Sequence, residues 1–225
     1  MLPLESEMEK ARCLYEKGEA EAALDIYRRI HKQHPFLASH QATEYLINSG
    51  KICLAIGQPQ EAESYFRELY REGEKKSDLL QLSLALYELG QLKLTLLSYQ
   101  EAVDLFREEL SYLYSGMEHY FALLARNYLG QGSAFIGMGD RQEAALYFRH
   151  AATFAETDEN EAIRAEALER QAELQMRDGK KKESLKLYRQ ALSSYKNADK
   201  AQDVSRLTEH LQSLTDNLSG THESM

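Results

Sequence analysis

The sequence predicts an all-α fold built from repeated helix pairs, and three observations carry that expectation. The chain is dominated by Ala, Leu, Glu, Lys, Gln and Arg, the better helix formers. Only 3 Pro and 12 Gly punctuate its 225 residues, too few for the turn-rich sequence of an all-β protein. A small residue followed four positions later by an aromatic recurs along the chain, as Ala23/Tyr27, Ala62/Phe66, Ala102/Phe106, Ala144/Phe148 and Ser184/Tyr188. The period is about 40 residues, and each unit reads as two antiparallel helices.

Taken in order, the first pair is expected near 4–17 and 19–34, with Gly18 at the turn. The second lies near 37–56 and 59–73; Gly57 stops its first helix, and Pro59 opens the next where a missing N–H costs nothing. The third lies near 78–96 and 98–114, and here Leu97 stands where the other units have a turn glycine. In the fourth, near 117–137 and 140–156, Gly139 makes the turn and Asp140 is placed to cap the following helix. The fifth, near 159–178 and 180–196, turns at Gly179. A last helix near 199–218 aligns Val204, Leu207, Leu211, Leu214 and Leu218 on one face, which suits a cap over the open end of the stack. Residues 219–225 have no apolar periodicity and are expected to be a disordered tail. No pair can bury its apolar surface alone, so 1–218 is expected to be a single domain with units near 4–35, 37–75, 78–114, 117–156 and 159–197.

A second register lies upstream. Ala11, Gly50, Gly90, Gly132 and Ala172 each precede the small residue of the second helix by twelve, so all five first helices carry a small residue at the crossing. Small residues at both positions let two backbones approach closely, and the aromatic one turn later fills the space beyond. Ser49-Gly50, Leu89-Gly90 and Gln131-Gly132 therefore stand as Leu-Gly does in the pattern W-x2-L-G-x2-Y, then A-x3-F, then P. Over roughly residues 4–197 the sequence resembles the tetratricopeptide repeat superfamily, with Pro35 closing the first unit. It has no Trp, and its period exceeds the usual 34 residues. The longer spacing is similar to extended-helix variants found in scaffold proteins and in Rap-type peptide sensors of Gram-positive bacteria. The resemblance implies a right-handed superhelical α-solenoid of about five helical pairs plus a C-terminal capping helix. It further implies a concave groove, lined by the first helices, that holds a protein segment or peptide.

Placed residue by residue on this chain, the family's groove positions fall at Glu9, Arg12 and Glu16 in the first unit, and at Asn48 and Lys51, with Glu44 at the rim, in the second. They continue at Tyr87, Glu88 and Gln91, then at Arg126, Leu129 and Ser133, and finally at Glu169, Arg170 and Glu173. An inward asparagine offers both a donor and an acceptor to an extended backbone, which singles out Asn48; Asn127 is a second candidate in a poorer register. The carboxylate clamp of chaperone-tail binders in this superfamily needs Lys and Asn, then Asn, then Lys with Arg. Here only Asn48 matches, and that clamp is rejected. The mixed charges suit a ligand of both signs, or a helix bound by its apolar face. Tyr112, Tyr114, Tyr120 and Phe121 gather at the connection between the third and fourth units, as an interaction patch or as packing for a longer link.

Composition narrows the function classes. A formal charge of −9 argues against nucleic acid as a partner, and the one basic run, Lys180-Lys181-Lys182, reads as a solvated helix start. Cys13 and Cys53 form no CxxC pair and fall on apolar helix faces as small hydrophobes. His31 and His34 end a helix, where imidazolium suits the dipole, and no HExxH or third ligand points to a metal. No GxSxG, P-loop or GxGxxG stands in a strand–turn–helix context, so no cofactor and no catalysis are expected. The first residues, MLPLESEMEK, show no signal peptide, and no apolar run approaches a membrane span, so the cytoplasm is the expected location. The leading reading is a non-catalytic adaptor or scaffold for a protein or peptide. The alternatives are a peptide-responsive sensor of the Rap type and a homodimeric structural protein. The repeats begin close to Met1, whereas such sensors usually carry an additional N-terminal module.

Overall fold

Glycine, or a residue that takes its left-handed backbone, follows eight of the described helices, whereas two others end on His34 and Leu113 at negative φ. The computed structural model describes residues 4–34 and 37–219, without the side chains of 216–219. Pro35, the Leu218 side chain and residues 220–225 lie outside them, and so do the expected closing proline and the expected disorder of 220–225. The described residues form eleven α-helices and no strand. They are α1 (Leu4–Glu16), α2 (Ala20–Gln33), α3 (Ser39–Ala55), α4 (Pro59–Lys76), α5 (Leu79–Thr95), α6 (Tyr99–Tyr112), α7 (Tyr120–Met138), α8 (Arg141–Thr157), α9 (Glu161–Arg177), α10 (Lys181–Asn197) and α11 (Ala201–Ser219). Gly18, Gly57, Gly139 and Gly179 take φ of 84°, 75°, 83° and 77° at the turns within pairs. Leu97 takes φ 59° at the equivalent turn with no glycine to ease it. Pro59 is the first residue of α4, and Asp140 accepts from the Glu143 amide at 3.1 Å, as the sequence predicts. Asp78 and Asn160 cap α5 and α9 in the same way, accepting from Gln81 and Ile163 at 3.0 and 3.1 Å.

The helices gather into two compact units, residues 1–113 and 114–225. In the first, α1/α2, α3/α4 and α5/α6 are antiparallel neighbours, α2 packs on α3 and α4 on α5, and the first helices α1, α3 and α5 also touch in sequence. In the second, α7/α8 and α9/α10 are the pairs, α8 packs on α9, α7 touches α9, and α11 packs on α10. This consecutive helix-pair packing is that of a tetratricopeptide-type α-solenoid.

The crossing residues explain the close approach. A Cβ added at Gly50 would sit 2.3 Å from a ring carbon of Phe66, and at Gly90 and Gly132 2.6 Å from the rings of Phe106 and Phe148. All three rings are fully buried. In the fifth pair the small residue of the second helix is Ser184, whose hydroxyl is also buried and donates to the Ala172 carbonyl at 2.7 Å. Cys53 is buried, and burial pushes its thiol up to about 11; Cys13 is half-buried. On α11, Leu207 is fully buried against Ala165, Leu168, Tyr188 and Tyr195, with Val204, Leu211 and Leu214 packed around it.

Candidate functional site

In each unit the first helices present side chains of both charge signs, and these pair across helices before any ligand arrives. In the first unit Arg12 of α1 pairs with Glu9 and, at 3.4 Å, with Glu44 of α3. Around them a cleft of about 490 Å³ is lined by Glu5, Ser6, Met8, Glu9, Arg12, His40, Gln41 and Glu44. One pair further on, Lys51 of α3 reaches the buried Glu88 of α5 at 2.8 Å. Asn48 lies between these ion pairs. Its amide nitrogen donates to the Tyr27 hydroxyl at 2.9 Å, tying α3 to α2. Burial pushes that tyrosine up to about 12 against the opposing effect of the Asn48 bond. Tyr87 is half-buried with its ring 5.9 Å from that of Phe106, and Gln91 is half-buried one turn beyond.

The second unit has the more elaborate arrangement. Ser133 and Ile136 of α7 and Arg170, Glu173, Leu174 and Arg177 of α9 line a cleft of about 220 Å³ with Phe148. Arg170 and Glu173 also line a neighbouring cleft of about 500 Å³. Its other walls are Ala162, Ile163, Glu166 and Glu169 of α9, Tyr195 of α10, Lys200, and Asp203 and Arg206 of α11. The two clefts thus form a continuous surface along α7, α9 and α11. Glu169 is its fixed point. It accepts two hydrogen bonds from Arg206, at 2.6 and 2.9 Å, and one from the Tyr195 hydroxyl at 2.9 Å. Burial alone would push the Glu169 carboxyl up; the bonds from Arg206 and Tyr195 outweigh it and hold the group below the usual carboxylate range. Glu166, one turn earlier, moves the opposite way, pushed up by burial and by the charges of Glu169 and Asp203 against the pull of Arg170 and Arg206.

The residues expected at groove positions therefore divide. Arg12 gathers with Glu9 and Glu44, Lys51 with Glu88, and Ser133 with Arg170 and Glu173. Arg126 is half-buried on α7 and lines neither cleft of its unit, and Leu129 is buried in the core beside Phe148. Asn127 is buried, accepting from Gln131 at 2.7 Å. Of the aromatic residues near the third-to-fourth connection, Tyr112 meets the Tyr70 hydroxyl at 3.3 Å in the first unit. In the second, Tyr120 and Phe121 pack together, and Phe121 stacks on Phe154 with ring centres 6.1 Å apart. The contribution of α11 was not visible in the sequence. That helix announces itself there by its apolar stripe, whereas Asp203 and Arg206 enter the cleft only because the cap packs on α10 and brings Arg206 within hydrogen-bond reach of Glu169. Among the described residues no cluster of His, Cys, Asp and Glu has the arrangement of a metal site, and no helix is long and apolar enough to cross a membrane.

Family models described as tetratricopeptide repeat match residues 5–36 and 129–200. No curated protein matches the sequence. Among solved structures, a Rap protein complexed with Competence and Sporulation Factor superposes with a TM-score of 0.76 at 14% identity, covering 94% of this chain and 62% of its own. The apo form of RapI gives 0.70 at 14% identity, covering 97% and 84%. A thermophilic TPR protein from Thermus thermophilus gives 0.63 at 19% identity, covering 95% and 99%. The chain spans 62% of the length of the first of these proteins, and at these identities the likeness is one of fold.

Proposed function

Because this chain belongs to the tetratricopeptide repeat superfamily, we propose that it is a non-catalytic adaptor that holds a protein segment against its first helices, with the α7–α9–α11 surface as the principal seat. The repeat-family matches and the helix-pair fold support a protein-interaction role. One observation supports the seat above the rest. Two adjoining clefts of about 500 and 220 Å³ share Arg170 and Glu173, giving an elongated trough of a size suited to a peptide. Its lining alternates in sign, with Glu166, Glu169, Glu173 and Asp203 facing Arg170, Arg177, Lys200 and Arg206. Such a lining selects a ligand carrying both charges, because a ligand of one sign would leave half of these groups facing their own kind.

The test is selection from a peptide display library on the intact protein, followed by affinity measurement on an Arg170→Ala, Glu173→Ala variant. Both side chains are partly exposed, and the variant should keep its helical circular dichroism. Peptides of mixed charge that lose roughly tenfold or more in affinity for the variant are expected. Peptides that bind both proteins equally would remove the trough from consideration.

A second reading, a peptide-responsive sensor, is favoured by the likeness to the Rap protein complexed with Competence and Sporulation Factor. It adds one expectation. Occupation of the trough should change the radius of gyration in small-angle scattering, which an adaptor of fixed shape would leave unaltered.

A further inference from the structure

Helix α10 is basic in an acidic chain. Residues 177–200 hold eight Lys and Arg against three Asp and Glu, which leaves nineteen basic against thirty-three acidic residues elsewhere. Lys182, Lys186, Arg189 and Lys196 fall four, three and seven positions apart, so they share one stripe of the helix, and all four are exposed. The stripe runs for about 21 Å at 1.5 Å per residue. Several basic residues on other second helices are matched locally, Arg28 with Glu61, Arg67 with Glu63 and Lys75 with Glu72, and the basic residues left without a carboxylate there, such as Arg107 on α6 or Arg141 and Arg149 on α8, form no run like that on α10. Among the described residues, no carboxylate pairs with any of the four on α10. The same helix starts with Lys180, Lys181 and Lys182 at the end where the macrodipole disfavours cations, and Lys180 makes no side-chain capping bond. The charge is kept there against the local preference of the helix.

We infer that the exposed face of α10 is a docking surface for an acidic helical segment of a partner protein. Acidic residues on one face of such a helix recur about every 5 Å, which matches the one-turn steps from Lys182 to Lys186 to Arg189 and, taken twice, the two-turn step to Lys196. A short segment touches α10 alone. An anionic membrane or a long nucleic acid would extend past the stripe and meet a remainder whose formal charge is −14. With a screening length of about 8 Å, attraction is confined to what touches the stripe and repulsion to what touches the rest. None of the four residues lines the clefts along α7, α9 and α11, so this surface is separate from the trough and does not depend on it.

The experiment uses the full chain and a labelled synthetic helical peptide with Glu at i, i+4, i+7 and i+11, read by fluorescence anisotropy. Vesicles of phosphatidylserine with phosphatidylcholine and a single-stranded oligonucleotide serve as competing probes. The peptide should bind, and its affinity should fall roughly tenfold or more as salt rises from about 50 to about 300 mM. Lys182→Glu, Lys186→Glu, Arg189→Glu should abolish binding. A Lys182→Gln, Lys186→Gln, Arg189→Gln variant should weaken it by roughly tenfold and guards against misfolding of the charge-reversed protein. Absence of peptide binding, or equal binding by the folded glutamine variant, would overturn the inference. So would vesicles or the oligonucleotide binding in preference to the peptide.

Discussion

Three glycines and three phenylalanines do the same job in three successive pairs. Gly50, Gly90 and Gly132 each face the edge of a buried ring, Phe66, Phe106 and Phe148. Where the first helix carries Ala instead, at Ala11 and Ala172, the aromatic sixteen positions on is Tyr27 or Tyr188. Gly50→Ala places a methyl 2.3 Å from the Phe66 ring, and the ring is enclosed on all sides. The substitution should cost about 1–3 kcal/mol, read as a lowered urea midpoint at unchanged slope. Leu97 offers the reverse change. It holds a left-handed backbone at φ 59° with its side chain 68% exposed, so Leu97→Gly sacrifices little packing. Relief of that conformation exceeds the extra entropy that glycine gives the unfolded chain, and a gain of about 0.5–1 kcal/mol is expected in the same melt. Both positions were legible in the sequence because each occupies a fixed place in the repeat. What could not be read there was that Leu97 keeps the glycine conformation rather than altering the turn.

At the scale of the element, α11 is held by polar contacts as well as by Leu207. The folded-state value of Glu169 lies below its ordinary value of 4.5. Its contribution is therefore complete above that ordinary value and is lost as pH falls through the lower folded value. Glu166 is raised, so its contribution is complete in acid and is lost as pH rises through its folded value. Nearly half of the Glu166 side chain reaches solvent, which keeps that effect modest. Exchange protection of α11, corrected for intrinsic rates, should rise slightly as Glu166 takes up its proton and fall once pH drops through the lowered folded value of Glu169, beneath the ordinary 4.5. A Glu169→Gln variant should lose the acid-side fall. The helix positions themselves were legible, because periodicity and turn residues are local signals. The Glu169–Arg206 bond was not, since it joins residues 37 apart whose proximity only the folded cap creates.

Across the molecule, the acidic excess and the repeat were plain in the sequence, and the repeat register placed the candidate groove residues on the first helices. Register says which face a side chain occupies and nothing of what it touches there. The register places Asn48 among the groove positions, and in the fold its amide nitrogen donates to the Tyr27 hydroxyl. Asn48→Ala should therefore lower stability by about 1 kcal/mol in thermal or urea melts, because a buried hydroxyl loses its donor. Lys51→Met should cost about 1–3 kcal/mol by leaving the buried Glu88 carboxylate without its cation, and adding Glu88→Gln should recover part of the loss.

The cross-helix pairs Arg12–Glu44, Lys51–Glu88 and Arg206–Glu169 also set a timescale. A ligand reaching the first helices finds charges that already have partners, so at least one pair must open before a new one forms. Association there should level off at a ceiling rate as ligand concentration rises, the signature of an opening step that precedes capture. The α10 stripe has no pair to open, and encounter with it should remain proportional to concentration. Stopped-flow traces would then separate two clocks on one chain, a slow one that waits on the protein and a fast one that waits only on diffusion.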